Sequence, residues 1–197
     1  MDGISEVKKS GETRQCYTCC HPNAKCTGCA VRFELHPAHD YVEGSVFFTV
    51  AAQKSIGSYD AGCRVLPTFD WENRITVRLA INEVAQVLEV LRGYREKLNN
   101  GNGLFHRTAK ANTIISFEHR LEPVSGFLLG VSRKTAEGKL QRMSILLSMP
   151  ESIVLAESLA AGMLYMAFGI PKVIPRMQKA VDGHVAEAGR KELKEVA

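Results

Sequence analysis

TFDWENRITVRLAINEVAQVLEVLRGYREKL (residues 68–98) and KLQRMSILLSMPESIVLAESLAAGMLYMAFGIP (residues 139–171) are built alike. Each sets an arginine-bearing strand just before a helix. In the first, Ile75, Val77 and Leu79 alternate with Arg74, Thr76 and Arg78, the period-two pattern of a half-buried strand. Asn82 then offers an N-cap. Val84, Val87, Leu88, Leu91 and Leu98 recur at helical spacing until NNGNG (residues 99–103) stops the helix. In the second, residues 139–147 read as a strand, and Ser148 with Glu151 three residues on resembles a capping box, with Pro150 in the first turn. The helix that follows is apolar around much of its circumference from Ile153 to Phe168. Such a helix needs burial on several sides, another subunit included.

Working outward, residues 45–170 read as one pattern written twice: short strands, then a helix. Residues 45–53 and 62–69 supply strands to the first unit, and residues 112–120 and 126–134 to the second, with turn signals at 57–60, 123–125 and 135–138. The expected class is α+β. A twisted sheet carrying basic side chains and backed by a helix suits a nucleic-acid strand. Around this unit, residues 1–14 read as a disordered polar segment, 15–40 as a separate cysteine-rich module, and 172–197 as a flexible charged tail. The doubled unit itself spans 41–171.

A net charge of +4 permits a nucleic-acid partner without requiring one, and an apolar share of 45% is enough for a real core. The most apolar run, residues 153–170, is interrupted by Glu157, Ser158 and Gly162. It therefore reads as a buried helix and not as a membrane span. The first fifteen residues lack the apolar segment of a leader, which points to a reducing, cytoplasmic setting.

In such a setting clustered cysteines bind metal more often than they pair. Cys16, Cys19, Cys26 and Cys29 form two CxxC pairs separated by a short gap of six residues, and two such pairs can complete a structural four-thiolate zinc site. Cys20, His21, His36 or His39 can replace one ligand, and an iron–sulfur cluster or plain reduced thiols are the alternatives. A closed site of this kind rigidifies an arm that contacts nucleic acid or a partner protein. Cys63 stands alone on an expected strand and reads as a buried small residue. No phosphate loop, nucleotide-binding glycine fingerprint, nucleophile elbow, paired carboxylates or deaminase zinc signature occurs, which argues against an enzyme.

FDWENRITVRLAINEVAQVL (residues 69–88) resembles a run in the Whirly single-stranded-DNA-binding proteins, where a Tyr-Asp-Trp-Glu-Lys-Arg stretch leads through a strand into a helix. Residues 125–171 are similar to the second unit of that family. The resemblance spans residues 41–171, about two thirds of the chain. It implies two four-stranded antiparallel sheets, each followed by a helix, and four protomers joined through their helices as a homotetramer. It also implies that single-stranded DNA is bound along the sheets with little sequence preference. Related proteins of the same fold bind guide RNA, which keeps RNA open as a ligand. Two features depart from the plant pattern. The Lys-Gly-Lys-Ala-Ala-Leu motif is replaced by Tyr41-Val-Glu-Gly-Ser-Val-Phe, and the cysteine-rich segment is additional.

Single-strand binding without sequence preference needs cations for phosphates and flat rings for bases. The candidate cations are Lys54, Arg64, Arg74, Arg78, Arg107, Lys110, Arg120, Arg133, Lys134, Lys139 and Arg142. The candidate rings are Phe48, Tyr59, Phe69, Trp71, Phe105, Phe117, His119 and Phe127. Trp71 divides evenly between base stacking and packing, since Asp70 and Glu72 flank it. Phe117 and Phe127 read as core. A second reading keeps the fold but makes the protein a subunit that recognises other proteins through its cysteine module.

Overall fold

Ile75, Val77 and Leu79 are buried, and they lie on a strand that closes a four-stranded antiparallel sheet. A computed structural model of the chain describes residues 16–60 and 62–169. The expected disordered N-terminus and charged tail lie outside the described residues. Among the described residues ten strands and two α-helices run in the order β1 (Cys16–His21), β2 (Cys29–His36), β3 (Ser45–Ala52), β4 (Ser58–Asp60), β5 (Cys63–Val65), β6 (Ile75–Leu79) and α1 (Ile81–Leu91). The second half follows as β7 (Leu104–Arg107), β8 (Ala111–Arg120), β9 (Gly126–Thr135), β10 (Leu140–Leu147) and α2 (Met149–Phe168). Sheet A has the order β1-β2-β3-β6 and sheet B the order β7-β8-β9-β10, so the doubling is complete: four strands and a helix, twice. The short β4–β5 hairpin is inserted between β3 and β6, where one strand over residues 62–69 was expected.

The cysteine-rich residues are not a module apart. β1 pairs with β2 from Cys16↔Glu34 to His21↔Cys29, and β2 pairs with β3 along its full length. Among the described residues the first repeat therefore starts with β1 at Cys16, ahead of the expected Ser45. Its inward face carries Cys19, Cys29 and Val31, all buried. Cys63 is exposed on the hairpin rather than buried.

One core joins the halves. Phe48, Val50, Val84 and Val90 from the first repeat meet Ile115, Phe117, Leu129 and Leu155 from the second. The helices pack on each other, and each also reaches the other repeat's sheet: α1 lies against β8, and α2 against β2. Two polar clasps repeat this exchange. His21 of β1 bonds Glu151 in the first turn of α2 (Nε2–Oε1 2.8 Å), and His106 of β7 bonds Glu83 in the first turn of α1 (2.8 Å).

The helix starts differ in a way the side chains explain. α2 has the expected capping box: Ser148 N–H donates to Glu151 Oε2 at 2.8 Å, and the Glu151 N–H points back to Ser148 Oγ. α1 begins at Ile81, with Ala80 in the cap position in place of the expected Asn82. Ala80 has no side-chain acceptor, but its N–H donates to Glu83 Oε2 at 2.9 Å, which closes half of the same box. α1 also ends early, at Leu91 instead of Leu98. Gly93 takes φ +75°, a left-handed conformation that glycine adopts without strain and that stops the helix. Leu98 is buried from a short 3-10 turn, after which Asn99 and Asn100 turn the chain with positive φ.

By length and composition α2 is apolar enough to cross a membrane, contrary to the sequence reading. Yet one side of it, Leu155, Ala156, Leu159 and Met166, lies in the core. The other side, Ile153, Val154, Leu164, Tyr165 and Phe168, is exposed.

Candidate nucleic-acid interface

Alternation decides which side chains leave the core. In sheet B the inward residues are buried, Thr113, Ile115 and Phe117 on β8 and Phe127, Leu129 and Val131 on β9, so their neighbours form the outer face. The register aligns that face into rows across the strands. One row is Phe105–Ile114–Ser132–Arg142, and a second, toward the sheet end, is Arg107–Asn112–Lys134–Leu140. The two rows hold three cations and no carboxylate. Phe105 is 61% exposed and Ile114 45%, so ring and aliphatic surface face solvent beside Arg142.

A third row is Ser116–Gly130–Ser144. Its small side chains make a trench of about 320 Å³ walled by Ile114, Leu128, Ser132 and Arg142. The flanking rows lie four residues apart along each strand, about 13 Å at ~3.3 Å per residue. A Cβ at Gly130 would lie 2.5 Å from Ser116 Oγ and raise the floor. The trench was missed in the sequence, although a glycine inside an alternating strand marks a close approach of some kind.

At the sheet end, Arg107, Asn112, Lys134 and Thr135 line a second depression of about 330 Å³. The Ala136 N–H donates to the Lys110 carbonyl at 2.9 Å, tying the β7–β8 turn to the β9–β10 turn. That bond brings Lys110 and Lys139 to the same end as Arg107 and Lys134. Five of the expected cations thus share one face or its rim. None of the five makes an ion pair among the described residues.

The other candidates separate. Arg133 points inward and is tied there: its Nε donates to Thr113 Oγ1 (3.2 Å) and its Nη2 to the Thr76 carbonyl (3.0 Å), joining the two sheets. Burial lowers its pKa from the ordinary arginine value. Arg120 is paired with Glu118 at 2.8 Å, and that partner holds the Glu118 carboxyl below the usual carboxylate range. Arg74 donates to the Trp71 carbonyl, and Arg78 to the Glu43 carbonyl at 3.2 Å on the outer face of sheet A. Lys54 and Arg64 are exposed near the β4–β5 hairpin.

Trp71 is half-buried. The Arg32 guanidinium, absent from the candidate cations, lies 4.5 Å from its ring centroid. Arg32 sits in the outward row Thr18–Arg32–Thr49–Thr76, where Thr49 and Thr76 share a 3.0 Å hydroxyl bond. The next row holds Glu34 and Phe47, with the His36 ring 4.4 Å from Phe47 and its Nε2 2.9 Å from Glu34 Oε1. Sheet A thus sets Glu34 among its outer-face cations, whereas the two rows of sheet B hold cations and no carboxylate. Of the ring candidates, Phe48, Phe117 and Phe127 are core, His119 stacks inward on Phe127 at 4.7 Å, Phe69 is half-buried, and Phe105 and Tyr59 are exposed.

The thiols do not fit a tetrahedral ion. In an extended strand residues i and i+3 point to opposite faces, so Cys16 is exposed and Cys19 buried. Cys29 is buried at the start of β2, and Cys26 sits in the intervening loop with φ +55°. Burial pushes the Cys19 thiol up to about 11. His21, His36 and His39 are each taken by a carboxylate. Among the described residues no three metal-ligating side chains converge.

No protein-family model matches the chain, and no curated protein matches it in sequence. Solved structures do match. WHY1 from Arabidopsis thaliana superposes with a TM-score of 0.60 at 15% identity, covering 89% of this chain and 92% of that one. WHY3 from the same plant gives 0.61 at 14% identity, covering 79% and 89%. The plant transcriptional regulator PBF-2 gives 0.57 at 14% identity, covering 77% and 89%. The doubled arrangement is therefore a Whirly-like fold.

Proposed function

We propose that this protein binds single-stranded DNA with little sequence preference across the outer face of sheet B. The observation that carries the reading is the alignment of Phe105, Ile114 and Arg142 in one row and Arg107 and Lys134 in the next, beside the serine–glycine trench. Bases lie against the Phe105–Ile114 surface and over the trench, and phosphates follow the cations at the sheet end. Stacking tolerates any base, because every base has a flat face, and is worth about 1–3 kcal/mol per base. The fold it shares with the Arabidopsis proteins, and the sequence resemblance to Whirly single-strand binders, support the same reading.

The binding unit is an oligomer, a tetramer by analogy with that family. Ile153, Leu164 and Phe168 leave on α2 an apolar face that water does not tolerate well and a second copy covers.

Fluorescence anisotropy with a labelled thirty-base strand, titrated in graded salt, tests the reading. Expected are tighter binding to single strand than to duplex, affinity falling with salt, and similar affinity for unrelated sequences. Equal affinity for duplex, or no salt dependence, would overturn it. An RNA strand that outcompetes the DNA of the same sequence would assign the face to RNA.

A further inference from the structure

The β4–β5 hairpin takes no part in either main sheet, and its role is otherwise unexplained. It forms one wall of a groove of about 580 Å³ at the end of sheet A, within the size range of small-ligand sites. The facing wall is the loop between β1 and β2, and that wall is built to be rigid. Gln53, almost fully buried, spends both ends of its amide on it. Its Oε1 accepts from the Asn23 N–H (2.9 Å) and the Gly28 N–H (3.1 Å), and its Nε2 donates to the carbonyls of Asn23 (3.1 Å) and Ser55 (3.0 Å). Asn23 Oδ1 then accepts from the N–H groups of Lys25 and Thr27. Gly28 is required here, because a Cβ would lie 2.2 Å from the His21 carbonyl oxygen.

On the hairpin wall, Tyr59 and Arg64 are directly opposite in register and both line the groove. Tyr59 is 79% exposed, and Arg64 makes no ion pair among the described residues. Asp60 is offset by one residue, so alternation turns it to the other side of the hairpin. Pro22, Ile56 and Pro67 supply apolar walls. An unspent aromatic ring, an unpaired guanidinium and flat apolar walls are complementary to one class of small molecule: a flat heterocycle carrying a phosphate.

We propose that this groove binds a single nucleotide, its base against Tyr59 and its phosphate on Arg64. The site is separate from the strand path on sheet B, and a nucleotide reaches it either free or as one unit of a bound strand.

The test is ligand-observed NMR titration of the full chain with adenosine 5′-monophosphate, adenosine and inorganic phosphate. The monophosphate is expected to bind more tightly than either fragment. Tyr59→Ala should weaken it about fivefold or more, the lower end of what one stacked base contributes. Arg64→Ala should reduce it to the affinity of adenosine, with Arg64→Lys intermediate. Both residues are exposed, so unchanged thermal unfolding is expected of these variants. A Phe105→Ala/Arg142→Ala variant should lose affinity for the thirty-base strand and keep the monophosphate, which separates this site from the proposed strand path. Absence of monophosphate binding, binding indifferent to both hairpin substitutions, or its loss in the sheet-B variant would overturn the proposal.

Discussion

At the scale of single residues, what matters is whether a charge is already spent. Arg133, Arg120, Arg74 and Arg78 each have a protein partner, whereas Arg107, Lys134 and Arg142 have none among the described residues. Lys134→Ala should therefore weaken single-strand binding uniformly across sequences. It should also flatten the logarithmic salt dependence by about 0.7, the share of one phosphate contact on a single strand. Arg120→Ala should leave that slope unchanged, which anisotropy in graded salt can read. Trp71→Ala should lower the melting temperature while leaving oligonucleotide affinity alone, because its ring is engaged by Arg32. A loss of affinity at constant stability would return Trp71 to the binding face. None of this was legible in the sequence. Alternation shows that Arg74 and Arg78 leave the core, but not that carbonyls of Trp71 and Glu43 wait for them. Arg133 was named as a candidate contact for its charge, and its bonds to Thr113 and the Thr76 carbonyl are long-range.

Elements were legible where a side-chain signal acted locally. The β6 alternation and the Ser148–Glu151 box stand as read, since each depends on residues within one turn or strand. The cysteine spacing says nothing of strand pairing, and a CxxC pair converges on one ion only when the chain turns between its members. Here strand pairing, a long-range effect, holds Cys16 and Cys19 extended. Losing the box should have a definite cost: Ser148→Ala should destabilise the fold by about 1 kcal/mol in chemical denaturation. Burial opposes ionisation of Glu151, but hydrogen bonds from Ser148 and His21 outweigh it and hold the carboxyl below its ordinary range. A depressed pKa contributes stability that is present above the unfolded value, about 4.3, and is lost as pH falls through the folded value. Wild type should therefore be more stable than Glu151→Gln at pH 7, and the gap should close as the pH drops toward 3. A gap in melting temperature that stays constant across that range would rule this out.

For the whole molecule, the exposed side of α2 gives a direct expectation. Leu164→Asp with Phe168→Asp places charge on a face that leaves the core undisturbed, since both side chains point to solvent. Sedimentation should show the wild type as an oligomer and the variant as a monomer. A variant that sediments as the wild type does would remove α2 from the interface. The two clasps, His21 to Glu151 and His106 to Glu83, carry a consequence for ancestry and for folding. Each half of the chain holds the helix start of the other, as two identical half-length subunits would in a symmetric pair. The protein is in that sense a dimer whose two members share one polypeptide. Neither half should be stable alone. Chains cut between Asn100 and Gly103, where the turn is exposed, should find each other when co-expressed and rebuild the single core.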